Sequence, residues 1–167
     1  MTVTEIFESV TNGGSSDFAA LVKILNRHGN WCLVGGLAVN CYVEPVFTVD
    51  VDIVVTASSL RDIQDELATN EHSVNAQVKG SDLRIQFTTD PRYQDFLNET
   101  ESKTVLGQIV PIASLENVVR GKVWAWSDPK PRLSKRKKDE LDLIRIAEKY
   151  SELREIIPRE ITGQLGR

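Results

Sequence analysis

The segment Thr48-Val49-Asp50-Val51-Asp52-Ile53-Val54-Val55 constrains this chain most strongly. Its apolar residues and β-branched content predict a strand over Val49 to Thr56, and the unbroken Val54-Val55 end places that strand centrally in a sheet. Asp50 and Asp52 interrupt it two residues apart. On a strand that spacing puts both carboxylates on one face, about 6.5 to 7 Å apart. A central strand makes idle carboxylates costly, so two of them on one face point to a cation or to cationic partners.

A second feature lies upstream. Trp31-Cys32-Leu33-Val34 is a short apolar run that predicts a buried strand, and Gly35-Gly36 turns it into a helix from about Leu37 to Tyr42. Glycine there lets a phosphate approach the backbone, and the first turn of the following helix offers unpaired N–H groups. Alone, a Gly-Gly turn is ordinary geometry. Together with two aspartates on the next strand, it forms a site for a metal-bound phosphate, since Mg²⁺ is commonly held by one or two carboxylates plus substrate phosphates.

The remaining pattern alternates helix and strand. Helices are predicted at Thr4 to Val10 and Asp17 to Arg27, and from Ser58 or Ser59 as cap to about Thr69. Strands are predicted at Val74 to Val78 and Leu83 to Thr88, with Asp90-Pro91 opening another helix. Thr104-Val105-Leu106 and Ile109-Val110 flank Gly107-Gln108 as a hairpin, and Ser114 caps a helix carrying Lys122 and Trp124. A loop, Asp128-Pro129-Lys130-Pro131, precedes a last helix from about Ser134 to Tyr150 with Leu141, Ile144 and Ala147 on one face. The expected class is α/β (α+β), with a central mixed sheet flanked by helices and further helices at the C-terminal end. At 167 residues the chain suits one domain, with a core over about 31–112 and a helical part over about 113–160.

Composition limits the function classes. Charged residues make up 26% and the net charge is −4, which argues against coating nucleic acid by bulk electrostatics. A basic run, Lys135-Arg136-Lys137-Lys138, with Arg120, Lys130 and Arg132 nearby, still suits a local contact with triphosphate or RNA backbone. Like charges at a helix N-terminus oppose its dipole, which raises the case for an anionic partner. Trp124 and Trp126 can stack on a base, although aromatics beside Val123 and Ala125 more often anchor a core. Cys32 and Cys41 have no metal-ligand spacing and read as buried thiols. The opening MTVTEIFESV has no basic stretch before an apolar core, and no apolar run approaches about 20 residues, so no membrane span and cytoplasmic residence are expected.

In order, Leu33-Val34-Gly35-Gly36-Leu37-Ala38-Val39-Asn40 and Thr48-Val49-Asp50-Val51-Asp52-Ile53 resemble the minimal nucleotidyltransferases of the DNA polymerase β superfamily. The branch most similar includes the nucleotidyltransferase toxins of type IV toxin–antitoxin systems, where an Arg often stands two residues before the matching Thr; here Val46 stands there. The likeness continues through Pro111-Ile112-Ala113-Ser114, Lys122 and Lys138-Asp139-Glu140-Leu141-Asp142, covering roughly residues 31–147. It implies a nucleotidyltransferase fold and transfer of NMP from an NTP to an RNA or protein hydroxyl, with Mg²⁺ or Mn²⁺ at Asp50 and Asp52. It further implies phosphate contacts from Gly35, Gly36, Thr48, Lys122 and Lys138, with Asp139 or Asp142 holding the basic residues in place. A cognate antitoxin or other partner protein is a possible companion. Lys138 and Asp142 also suit an ordinary i, i+4 helix pair.

One departure bears on activity. Enzymes of this superfamily usually place a third carboxylate on a neighbouring strand, and the matching strand here reads Asp82-Leu83-Arg84-Ile85-Gln86-Phe87. Alternation puts Asp82, Arg84 and Gln86 on one face, and neither Arg84 nor Gln86 serves as a base. Either Asp82 substitutes, or the acceptor is activated without a third acid, or catalysis has been lost and the chain is a nucleotide- or partner-binding relative. Arg84 can also bind phosphate or pair with Asp50 or Asp52.

Overall fold

Two antiparallel neighbours, β1 (Trp31–Val34) and β2 (Asp50–Val55), form the middle of the sheet and are among its most deeply buried strands. The computed structural model describes residues 14–69 and 83–166. Helix Thr4 to Val10, strand Val74 to Val78 and Asp82, all expected from the sequence, lie outside the described residues. Around the central pair stand β3 (Arg84–Thr88), β4 (Thr100–Val105) and β5 (Gln108–Ala113), in the order β3-β2-β1-β5-β4. β2 pairs with β3 and β1 with β5 in parallel, while β4 and β5 form an antiparallel hairpin. The sheet is therefore mixed.

Helix α1 (Gly14–Arg27) buries Phe18, Leu21, Val22, Ile24 and Leu25, the stripe expected of an amphipathic helix on a sheet. Its last turn and the residue beyond are tied to helix α3 (Ala57–Thr69), where Glu66 takes both Arg27 and His28. The cap of α3 differs from the expected Ser58 or Ser59. Thr56 immediately precedes the first helical residue, and its Oγ1 accepts the Ser59 N–H at 3.2 Å. Asp90 caps the short helix α4 (Pro91–Gln94) as expected, accepting the Arg92 N–H at 2.9 Å with Pro91 in the first turn.

The hairpin turns one residue earlier than the sequence suggests. Leu106 and Gly107 are its two loop residues, at φ 48° and 80°, and Gln108 already pairs with Val105. Two successive positive φ angles suit a two-residue hairpin loop, and a leucine there is unusual. β4 also begins at Thr100, four residues before the expected start. Its exposed Thr100, Glu101 and Ser102 lack an apolar signal because this is an edge strand, where charge protects against pairing with other chains.

Helix α5 (Leu115–Ser127), capped by Ser114, packs against α6 (Leu133–Lys149). The expected face holds at Ala147, which is buried, and at Ile144, which packs against the core, but not at Leu141. Leu141 is 48% exposed, whereas Asp139, Asp142, Leu143, Ile146 and Ala147 point inward. Two aspartates pairing with a buried lysine turn the helix away from the face its apolar residues alone would choose. Beyond α6 lie a 3₁₀ segment (Ser151–Ile156) and helix α7 (Arg159–Thr162), which buries Ile161. Among the described residues no helix is long and apolar enough to cross a membrane.

Candidate nucleotide site

Val34, the last residue of β1, is the ladder partner of Asp52, so the chain turns into α2 (Gly35–Val39) directly beside that carboxylate. Gly35 takes φ 72°, a conformation that favours glycine. A Cβ there would sit 2.1 Å from Asp52 Oδ2. The first glycine therefore exists to seat Asp52. The second serves Thr48, whose Oγ1 would lie 3.3 Å from a Cβ at Gly36. Because α2 has only five residues, its aligned dipoles are few, and any phosphate contact there relies on glycine backbone access more than on a long helix axis.

Asp52 lines a cleft of about 610 Å³, a volume typical of a small-molecule site. Burial raises its pKa, against the opposing pull of Lys122 and Lys135 and with a further push from Asp50. Gly35, Gln86, Lys122, Lys135 and Asp139 share the cleft wall. On β3, Gln86 is in register with Asp52 and Arg84 with Asp50. The Arg84 Nε lies 3.4 Å from Asp50 Oδ1, a half-exposed ion pair that occupies part of the second carboxylate. The residue beside Asp52 on this neighbouring strand is thus an amide, not an acid.

Lys122 is not a free phosphate-binding cation. Its Nζ sits 2.8 Å from Asp139 Oδ1 and 2.7 Å from Asp142 Oδ2, with 7% of the side chain exposed. Burial lowers its pKa, but Asp142 and Asp139 outweigh that effect and hold it raised. Arg145 adds a second cation 3.5 Å from Asp142. Lys122 reaches the cleft as part of this buried network, which welds α5 to α6.

Lys138 stands apart from the cleft wall. It does not form the i, i+4 pair with Asp142; its Nζ donates to Thr48 Oγ1 at 3.2 Å, and the same oxygen accepts the Asp50 N–H at 3.4 Å. Thr48, Gly36, Asp50, Arg84 and Lys138 thus lie around the Asp50 end, whereas Gly35, Asp52, Gln86 and Lys122 face the cleft. The basic run does not act as one patch. Arg120 pairs with Glu116 and Lys137 with Glu140, Arg136 bonds the Trp126 carbonyl, and Lys135 alone of the run lines the cleft.

Most of the remaining cleft wall carries no chemical signal in the sequence. Asp90, Arg92, Tyr93, Trp124, Asp128 and Pro131 complete its wall. Trp124 was visible as a candidate stacking residue and Asp90 only as the start of a helix, while Arg92 carried no signal of its own.

A divalent cation fits this site in one way. Among the described residues no cluster of three or more metal-binding side chains occurs. Two carboxylates on one strand face, one of them desolvated at the cleft wall, fit a cation completed by phosphate oxygens and water, the usual arrangement for Mg²⁺.

Sheet order, the Gly-Gly turn and the paired aspartates together define the nucleotidyltransferase fold. Among the solved structures similar to this chain is the antibiotic-resistance factor ANT(2'')-Ia in solution, at TM-score 0.54 and 10% identity over 90% of this chain and 94% of that one. Another is an antigenic nucleotidyltransferase-like protein from Paracoccidioides brasiliensis, at TM-score 0.56 and 13% identity over 93% of this chain and 90% of that one. No protein-family model matches the sequence, and no curated protein is similar to it. Identity this low carries the fold alone.

Proposed function

We propose that the cleft binds a nucleoside triphosphate with Mg²⁺ or Mn²⁺ and transfers its nucleotidyl group to a hydroxyl of an RNA or protein acceptor. The observation that carries this reading is Asp52 seated on Gly35 at the wall of a nucleotide-sized cleft, with Asp50 on the same strand face. In this role Asp50 and Asp52 would hold the cation, which when bound supplies charge neutralisation for the triphosphate and a lower pKa for the acceptor hydroxyl. Gly35 admits phosphate oxygens close to the backbone, and Lys135 faces them across the cleft. The acceptor oxygen forms a bond to the α-phosphorus as the bond to the bridging oxygen breaks, and pyrophosphate leaves. Gln86 cannot take the acceptor proton, so the proton passes to water at this exposed edge of the site.

Incubation with labelled NTPs, Mg²⁺ and cell extract tests the proposal. Label should move to a macromolecule that ribonuclease or protease then identifies, and Asp50→Ala with Asp52→Ala should abolish it. No label above that control would overturn the transfer reading.

A second reading, binding without transfer, draws on the Arg84–Asp50 ion pair and on Gln86 beside Asp52. It is supported if nucleotide binds while no acceptor is ever labelled. Membership of a toxin–antitoxin pair, with a cognate antitoxin as partner, extends either reading and rests on the motif resemblance alone. Growth unaffected by expression of the intact gene would remove the simple toxin form.

A further inference from the structure

We propose that the open edge of β4 pairs antiparallel with the same edge of a second copy of this chain, in a register set by Glu101 and Lys103. Among the described residues β4 ends the sheet and pairs with β5 alone. Thr100, Glu101, Ser102 and Thr104 are exposed along it.

Backbone phase fixes what that edge offers. The two-residue loop Leu106-Gly107 makes Val105 and Gln108 a hydrogen-bonded pair, and along an antiparallel ladder such pairs recur at every second residue. Lys103 with Val110 and Glu101 with Ile112 come next, and the Glu99 carbonyl, in the same phase, accepts the Ser114 N–H at 2.9 Å. The N–H and C=O groups of Thr100, Ser102 and Thr104 therefore point away from β5, toward the open edge. An antiparallel copy centred on Ser102 sets Ser102 against itself and Thr100 against the partner's Thr104. Every outward N–H of these residues then meets a carbonyl of the other copy.

Charge decides the register and the occupant. Glu101 and Lys103 share one face of the strand and form an ion pair at 3.5 Å. With Ser102 at the centre, each Glu101 stands opposite the partner's Lys103, in the non-hydrogen-bonded pair where side chains approach most closely. Moving the centre to Glu101 sets that carboxylate against its own copy, and moving it to Lys103 sets the two ammonium groups together. The same charges turn away a strand without the matching pattern, so the edge is protected from other chains yet complementary to itself. On the other face Thr100, Ser102 and Thr104 supply Thr–Thr and Ser–Ser cross-strand pairs. Ile109, 74% exposed and opposite Thr104 in the hairpin, stands in one row with Thr104 and the partner's Thr100. A single strand edge buries little area, which makes this a weak, concentration-dependent dimer.

Sedimentation equilibrium of the full chain at concentrations up to about 1 mM tests the pairing, a range that captures weak association. Wild type should approach twice the mass of the 18.7 kDa chain. Ser102→Pro removes an outward N–H and no bond to β5, so it should keep its circular dichroism spectrum and stay monomeric. Glu101→Lys and Lys103→Glu should each weaken self-association about tenfold or more, because both opposite-charge pairs become like-charge pairs. An equimolar mixture of those two variants, or both changes in one chain, should restore the dimer. Monomer at every concentration would overturn the proposal. A dimer untouched by Ser102→Pro, or charge variants that mixing fails to rescue, would overturn it as well.

Discussion

Gln86 is the in-register partner of Asp52 across the parallel ladder of β2 and β3, the strand on which the nucleotidyltransferases that the sequence resembles usually carry a third acid. An amide oxygen there is a poorer ligand for a hard cation than a carboxylate. Gln86→Asp should tighten Mn²⁺ binding about tenfold, because ligand charge sets affinity at oxygen sites. Gln86→Leu should change it little. Mn²⁺ titration followed by electron paramagnetic resonance measures both, and equal affinity for wild type and Gln86→Asp would show that this register position does not face the cation.

Lys122 should matter more to folding than to nucleotide binding. Lys122→Met leaves Asp139 and Asp142 buried beside each other with their shared cation gone, a loss of about 3–5 kcal/mol for a broken buried pair. Urea denaturation reads it directly. A loss below about 1 kcal/mol, accompanied by lost nucleotide binding, would instead make Lys122 a phosphate ligand.

The two glycines should separate in the same assay. At Gly35 an alanine adopts a positive φ, costing about 1–2 kcal/mol, and its Cβ also drives into the Asp52 carboxylate. Gly36→Ala meets only Thr48 Oγ1 at 3.3 Å, which a slight shift relieves. Gly35→Ala should therefore lose more stability and displace Asp52. Similar urea midpoints for the two variants would contradict that order.

Burial pushes the Cys32 thiol up from 9.0 to about 12, and it raises Cys41 as well, with Lys103 opposing. A folded pKa above the unfolded one means stability present below pH 9 and lost as pH rises toward about 12, since the unfolded chain gives up its proton first. Stability measured across that interval should fall for wild type and fall less for Cys32→Ala. In native protein at pH 8, Ellman's reagent should find Cys41 slowly and Cys32 only after urea is added.

Much of the fold was legible because its central elements carry strong local signals. The apolar run at Trp31 to Val34, the glycine turn and the Asp-x-Asp strand appear where sequence places them. What escaped depended on tertiary pairing. Asp139 and Asp142 look like solvent-facing helix residues until Lys122 arrives from α5, and their burial sends Leu141 outward. Arg92 becomes part of the cleft only because Trp124, distant in sequence, packs beneath it. The β2–β3 register sets Gln86 beside Asp52, as alternation along the strand allowed but did not fix.

In the proposed function Asp50 and Asp52 act together on a metal-bound triphosphate, and calorimetric titration of wild type and the Asp50→Ala, Asp52→Ala variant with NTP tests that. Binding should appear with Mg²⁺, vanish with a chelator and vanish in the double variant. Binding of equal strength in all three conditions would contradict that role for the two aspartates.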